Sequence, residues 1–197
     1  VRQWRGGPMR MAREYEALGE KGDSVAQLEA IVRKQPNLLP AHMALAQAYY
    51  NRQQFPDAEA EFKKILELQP KNAGARFDLG MTYLSEKRPD DAKATFAEML
   101  AEDPNSADAH YGLGLVLADQ QNYQAAIEEF KKAASSGTHI SGIYYEMGNS
   151  YTKLKMYDDA IAAYLKEKEK DGDDPDVESA LACLLYTSPS PRDRQKS

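Results

Sequence analysis

The feature that most constrains this chain is a sequence period of thirty-four residues. Four consecutive blocks, 39–72, 73–106, 107–140 and 141–174, align with no insertion or deletion. A strict period of this length is typical of an array of equivalent units, because each unit buries its apolar face only against its neighbours. The chain is therefore expected to fold as a stack of repeats rather than around one central core.

Equivalent positions carry matching residue types, and their spacing predicts two helices in each block. The seventh and eighth positions pair a large with a small residue and the eleventh is mostly tyrosine, on one helix face: Leu45-Ala46 and Tyr49, Leu79-Gly80 and Tyr83, Leu113-Gly114 and Leu117, Met147-Gly148 and Tyr151. The twentieth is alanine and the twenty-fourth aromatic: Ala58 and Phe62, Ala92 and Phe96, Ala126 and Phe130, Ala160 and Tyr164. Small residues let two helices approach closely beside the aromatic ring, so each block predicts a helical hairpin.

The boundaries of the blocks support this interpretation. Polar segments separate the two helices, and Pro70 and Pro104 end the second helix, with Gly137 and Gly172 expected as the stops in the last two blocks. A weaker match predicts an additional unit at 9–38, and 175–182 matches the beginning of a further one. We expect residues 1–8 to be a linker or a frayed end.

This pattern of a large-small pair, tyrosine, alanine, aromatic and closing proline resembles the tetratricopeptide repeat family over about residues 9–182. The resemblance implies an all-α, right-handed α-solenoid of antiparallel hairpins that holds a peptide or a partner helix in a groove lined by the first helices. The implied function is a protein–protein interaction scaffold and not an enzyme. Two alternatives stay open: the docking arm of a larger enzyme (a glycosyltransferase, protease or kinase) whose catalytic domain lies outside this sequence, and self-association.

The resemblance also indicates which residues line the groove, at the second, fifth, ninth, twelfth and thirteenth positions. The candidates are Met43, Gln47, Tyr50, Phe77, Met81, Leu84, Tyr111, Leu115, Tyr145 and Asn149. Methionine and aromatic side chains suit an apolar or amphipathic helical partner. The alternative is that some of them, Tyr111 and Tyr145 above all, simply pack neighbouring hairpins. No cation that could clamp an anionic tail stands at the corresponding positions of the first three blocks, where Asp78 would repel one.

Composition and isolated residues argue against other classes of function. The formal net charge of -6 disfavours a nucleic-acid partner, and no apolar run is long enough for a membrane span. His42 and His110 occupy equivalent fourth positions with no acidic residue at a ligand-like spacing, so no metal, cofactor or catalytic site is expected. Glu167 stands where a small or apolar residue is expected. The compartment stays open between cytoplasm and bacterial periplasm.

The last fifteen residues, 183–197, depart from the repeat frame. Pro191 and Arg194 occupy the seventeenth and twentieth positions, where a turn aromatic and a small residue belong. The string also resembles the translation of a transposase adaptor used in preparing sequencing libraries. We therefore expect 183–197 to be a non-native tail on a fragment of a longer repeat protein. The alternatives are a phosphorylation tail at Ser188 and Ser190 or a basic targeting end.

Overall fold

The computed structural model describes residues 21–136, 140–172 and 174–187, and these residues are helical apart from short turns. They form ten helices: α1 Lys21–Lys34, α2 Leu39–Asn51, α3 Phe55–Leu68, α4 Ala73–Ser85, α5 Pro89–Glu102, α6 Ala107–Asp119, α7 Tyr123–Ser135, α8 Ile143–Lys153, α9 Tyr157–Asp171 and α10 Pro175–Thr187. The prediction of an all-α chain with two helices per block is confirmed. The proposed linker at 1–8 and the stop at Gly137 lie outside the described residues.

The chain divides into two compact units, which we call unit 1 (residues 1–99) and unit 2 (residues 100–197). In unit 1, α1, α2, α3 and α4 pack in sequence, each against the next. In unit 2, α6, α7, α8, α9 and α10 do the same. The helices of each unit pack as sequential hairpins, so the thirty-four-residue period of the sequence is also a structural period.

Every turn between the two helices of a block uses the same backbone motif. The fifteenth residue is left-handed in all four blocks, at Gln53, Lys87, Gln121 and Lys155, with φ between 60° and 62°. In the third block, the amide of Asn122 donates to the carbonyl of Leu117 at 2.8 Å, and its neighbour Gln121 donates to Ala118 at 3.0 Å. This pair of bonds is a Schellman motif, which satisfies carbonyls at the end of the first helix and reverses the chain.

Close contact between a small residue and an aromatic ring holds each hairpin together, as the sequence predicts. A Cβ atom built on Gly80 would lie 2.5 Å from the ring of Phe96, and Gly148 stands in the same relation to Tyr164. Because real side chains do not approach so closely, glycine is required for the two backbones to keep this separation. The alanine at the twentieth position is completely buried in all four blocks.

The fourth residue of a block is tied to the proline that closes the block before it. His42 Nε2 lies 3.0 Å from the carbonyl oxygen of Pro36, and its Nδ1 lies 2.5 Å from Glu61 on α3. His110 repeats this arrangement with the carbonyl of Pro104 at 3.1 Å and Glu129 at 2.7 Å. The acidic partner of each histidine lies nineteen positions further along the chain, and the hairpin brings the two side chains together.

Glu167 is buried, with 3% of its surface exposed. Its carboxylate accepts from the backbone amides of Gly142 at 2.6 Å and Tyr144 at 3.0 Å, at the N-terminus of α8. A carboxylate at this end satisfies amides that lack an intrahelical partner and complements the helix dipole. Glu167 therefore departs from the repeat pattern because its side chain, on α9, caps the N-terminus of the preceding helix α8.

Helix α9 ends at the expected glycine and α10 begins at the expected position, but α10 extends beyond residue 182. Gly172 has a positive φ of 85° and ends α9. Helix α10 then continues through Thr187, and Leu184 is buried against Ala160 and Tyr164. Burial of Leu184 does not bear on whether 183–197 is encoded by the gene, so the boundary at 182 stays a prediction. In the described residues, no helix has the length and apolar character that crossing a bilayer requires.

Candidate functional site

The ten candidate residues all lie on first helices of the repeats, and they divide between the two units. The face of unit 1 consists of Met43, Gln47 and Tyr50 on α2 with Phe77, Met81 and Leu84 on α4. The face of unit 2 consists of Tyr111 and Leu115 on α6 with Tyr145 and Asn149 on α8. All ten are at least partly accessible to solvent. We call these two sets the unit 1 face and the unit 2 face.

On the unit 1 face, apolar and polar side chains alternate along α2. Met43 is 41% exposed, so part of its apolar surface is in contact with solvent. Gln47 is exposed, and its amide donates to Asn51 at 3.0 Å. The hydroxyl of Tyr50 lies 3.0 Å from Ser85 Oγ, which joins α2 to α4. Tyr50 is therefore held in place, whereas Met43 remains open for contact with a partner.

The aromatic residues at the fifth position pack on core rings and are also partly accessible to solvent. The ring centroids of Phe77 and Phe96 lie 5.8 Å apart, and the distance for Tyr145 and Tyr164 is 5.7 Å. Each of these pairs joins a half-buried ring on a first helix to the buried ring of its own repeat. Tilted pairs at this distance are favourable beyond the area they bury. Packing in the core therefore accounts for part of the surface of each ring, and the remainder is partly accessible to solvent.

Tyr111 also packs between successive hairpins of unit 2. Its ring lies 5.9 Å from that of Phe130, and it contacts a core cluster that includes Ile143 and Met147 of the next repeat. Its hydroxyl is close to Gly142, 3.8 Å from where a Cβ atom would stand. Burial, followed by the charges of Glu146 and Glu167, raises the pKa of Tyr111 to about 12. The side chain is therefore neutral at physiological pH and presents a hydroxyl group.

Glu146 is a half-buried carboxylate on α8 that the candidate list omits. Burial raises its pKa, and the amide of Asn149, which donates to it at 3.4 Å, opposes that effect. The oxygen of Asn149 accepts from the hydroxyl of Tyr164 at 2.7 Å, so the orientation of this amide is fixed. Spacing could have identified Glu146, since it stands one helical turn before Asn149 on the same face.

Side chains of the types that bind metals or act in catalysis occupy structural positions in the described residues. Across the parts of the chain that the structure describes, no group of three or more His, Cys, Asp or Glu side chains is placed to hold a metal ion. His42 and His110 direct both ring nitrogens into the repeat junctions, as described above. Cys183 lies exposed on α10. The ten candidate residues of the two faces present apolar, aromatic, phenolic and amide groups.

Family models agree with this architecture. A tetratricopeptide repeat model matches residues 9–73, 43–107 and 77–139, and a second tetratricopeptide repeat model matches 141–166. The chain therefore belongs to the tetratricopeptide repeat family, whose members generally bind proteins or peptides and are usually non-catalytic. No curated protein matches the chain.

Solved structures share the fold at low sequence identity. A thermophilic tetratricopeptide repeat protein of Thermus thermophilus is 20% identical with a TM-score of 0.74, covering 91% of this chain and 97% of that one. PilW, a type IV pilus biogenesis factor, is 19% identical with a TM-score of 0.73, covering 96% of each chain. YrrB, described as having an unusual peptide-binding site, is 16% identical with a TM-score of 0.59, covering 88% of this chain and 89% of that one.

Proposed function

We propose that this protein is an interaction scaffold that captures an apolar or amphipathic segment of a partner on its first-helix faces. The observation that carries the proposal is the accessible apolar surface of these faces. Met43 is exposed, and Phe77, Tyr111 and Tyr145 are partly accessible while each ring packs on a core ring. Rings that are already immobilised lose little conformational entropy when a partner binds, which favours affinity.

The proposal is tested by selecting binders from a phage-displayed library of random sixteen-residue peptides with the full chain. We expect enriched peptides to carry apolar residues at helical spacing, because a helix in a groove is read through such anchors. Met43→Ser tests the unit 1 face and Leu115→Ser tests the unit 2 face. At least one of them should weaken binding about ten-fold, which corresponds to the loss of one well-buried apolar anchor.

Leu165→Ser is the matched control, because Leu165 is 52% exposed but lies on a second helix. Peptides that keep their affinity for both face variants and lose it for the Leu165 variant would place the binding surface elsewhere. Circular dichroism of every variant separates lost binding from lost helix. Alanine at Phe77 or Tyr111 would also remove a contact to a core ring. Leu115 packs against a core cluster as well, so its variant is compared only after its thermal unfolding is shown to match that of the unmodified chain.

The alternative role as the docking arm of a larger enzyme makes a separate prediction. It requires a catalytic domain in the same open reading frame, and the repeats would then bring a substrate protein to it. Reading the source DNA in both directions tests this alternative, and an open reading frame made only of repeats would contradict it. The partner-binding test above has the same expected outcome under both roles, since both use the same faces.

A further inference from the structure

Glu167 and Glu129, which lie on the helices that pack against α8, each accept two hydrogen bonds, whereas Glu146 on α8 accepts fewer. Glu167 accepts two backbone amides, and Glu129 accepts from Lys132 and His110, each at 2.7 Å. Among the described residues, the side chain of Glu146 has a single hydrogen bond, the long one from Asn149 at 3.4 Å. An ionised carboxylate has about four acceptor sites, so Glu146 retains acceptor capacity that the fold does not occupy.

Partial burial makes this spare capacity energetically significant. Removing a carboxylate from water without a charged partner is unfavourable, and burial accordingly raises the pKa of Glu146. A cation supplied from outside the chain would interact with Glu146 through a medium of lower dielectric than water, where a charge-assisted hydrogen bond is stronger. The site therefore favours a positively charged ligand over a neutral one.

The neighbours of Glu146 suit a long cationic side chain rather than a small ion. Tyr111 lies near enough for the charge of Glu146 to contribute to its raised pKa, and its hydroxyl is close to Gly142, one turn before Glu146. Leu115 packs with Tyr111 against the same core cluster and adds partly accessible apolar surface. Lysine and arginine place their methylene stems along apolar or aromatic groups while the charged end reaches a carboxylate. Asp108, exposed in the first turn of α6, adds negative charge at the second position of its repeat.

We infer that the unit 2 face recognises a basic amphipathic helical segment, in which a lysine or arginine pairs with Glu146 while adjacent apolar side chains contact Leu115 and Tyr145. The inference rests on the proposed function, because it specifies the partner of the same surface. Association should weaken with salt, since part of its free energy comes from an ion pair at a partly exposed site. A neutral or acidic amphipathic helix would have the apolar contacts and lack the pair.

The test compares peptides selected by the full chain with those selected by Glu146→Gln and by the control Glu169→Gln. Glu169 is exposed on the second helix α9, so its neutralisation changes the net charge by the same amount without altering the unit 2 face. Peptides bound by the unmodified chain should be enriched in lysine and arginine beside their apolar residues. Their affinity should fall about ten-fold for Glu146→Gln and stay within about two-fold for Glu169→Gln.

A variant of the peptide removes any dependence on how the protein tolerates substitution. Replacing the critical lysine of a selected peptide by norleucine should weaken its binding to the unmodified chain about ten-fold and leave its binding to Glu146→Gln unchanged. Selected peptides that need Leu115 but show no basic enrichment and no response to Glu146→Gln would overturn this inference and leave the proposed function standing. Failure to enrich any peptide sensitive to the two face variants would overturn the proposed function itself.

Discussion

Gly80 and Gly74 stand on the same helix, α4, in opposite environments. A side chain on Gly80 would collide with the ring of Phe96, whereas the nearest atom to a Cβ on Gly74 would be Asn72 Oδ1 at 3.6 Å. The periodic position of a glycine, and not glycine as such, therefore decides its role. At the eighth position it sets the distance between two helices, and near the helix start it does not.

We predict that Gly80→Ala lowers the free energy of unfolding by about 1–3 kcal/mol, because the added methyl group must displace the Phe96 ring or separate α4 from α5. Gly74→Ala on the same helix should be neutral or stabilising by up to about 1 kcal/mol, since alanine has the higher helix propensity. Urea unfolding followed by circular dichroism measures both variants. Equal effects of the two substitutions would show that the close approach at Gly80 is not required.

The buried cap formed by Glu167 leads to a second prediction at the residue scale. Glu167→Gln keeps the size of the side chain but replaces one acceptor oxygen with an amide group that would face the backbone amides of Gly142 and Tyr144. Leaving such buried donors unsatisfied costs about 1–3 kcal/mol. Thermal unfolding should show this loss for Glu167→Gln and essentially none for Glu169→Gln, its exposed neighbour on the same helix.

At the scale of helices, the second helix α7 stabilises the start of its own repeat through Glu129. Burial alone would raise the pKa of this carboxyl, but hydrogen bonds from Lys132 and His110 outweigh it and lower the pKa overall. A carboxyl whose pKa is lowered in the folded state contributes stability above its unfolded pKa and loses that contribution as the pH falls through the folded pKa. The helix junction is therefore expected to weaken in acid.

Glu129→Gln should lower stability by about 1–2 kcal/mol at neutral pH, because it removes a charged acceptor from two donors. The difference from the unmodified chain should shrink as the pH falls below about 4.3, the ordinary pKa of glutamate. Urea midpoints measured from pH 3 to pH 7 test this. Glu128→Gln is the control, since its ion pair with Lys131 is half exposed on both sides and should contribute less than about 0.5 kcal/mol at any pH.

At the scale of the whole molecule, stability is expected to be local, since each repeat packs on its sequence neighbours. The last described helix illustrates this. Leu184 on α10 is 4% exposed and belongs to a cluster with Val177 of the same helix and with Ala160 and Tyr164 of α9. Helix α10 therefore covers apolar side chains of α9. Leu184 belongs to the segment 183–197, whose origin stays a prediction, and its side chain covers part of the preceding repeat.

Leu184→Ala should therefore destabilise the last hairpin by about 2–4 kcal/mol by leaving a cavity beside Tyr164. Hydrogen exchange should show the loss of protection in α9 and α10, with α2 and α3 in unit 1 little changed. Leu165→Ala, at a side chain that is 52% exposed, is the comparison and should alter protection much less. Uniform loss of protection through both units would contradict a local distribution of stability.

The position of a residue within the thirty-four-residue period predicts much of the fold. It predicts less of the candidate site. The glycines at Gly80 and Gly148 and the rings that contact them could be predicted because their roles are steric and repeat with the period. The left-handed turn residue could not be predicted, because Lys87 and Lys155 occupy a conformation that usually favours glycine. The partners of His42 and His110 were missed because they lie on the following helix, where spacing along one helix gives no indication.

The sequence by itself determined the all-α class, the two helices per block and the helix on which each candidate residue lies. These are consequences of short-range periodicity and of the volume of side chains at fixed positions, which a single chain displays directly. Only the tertiary structure decided which carboxylates are used by the fold. Glu167 and Glu129 each accept from a donor on another helix, whereas within the described ranges Glu146 accepts only from Asn149 on its own helix. This difference depends on where separate helices meet in space.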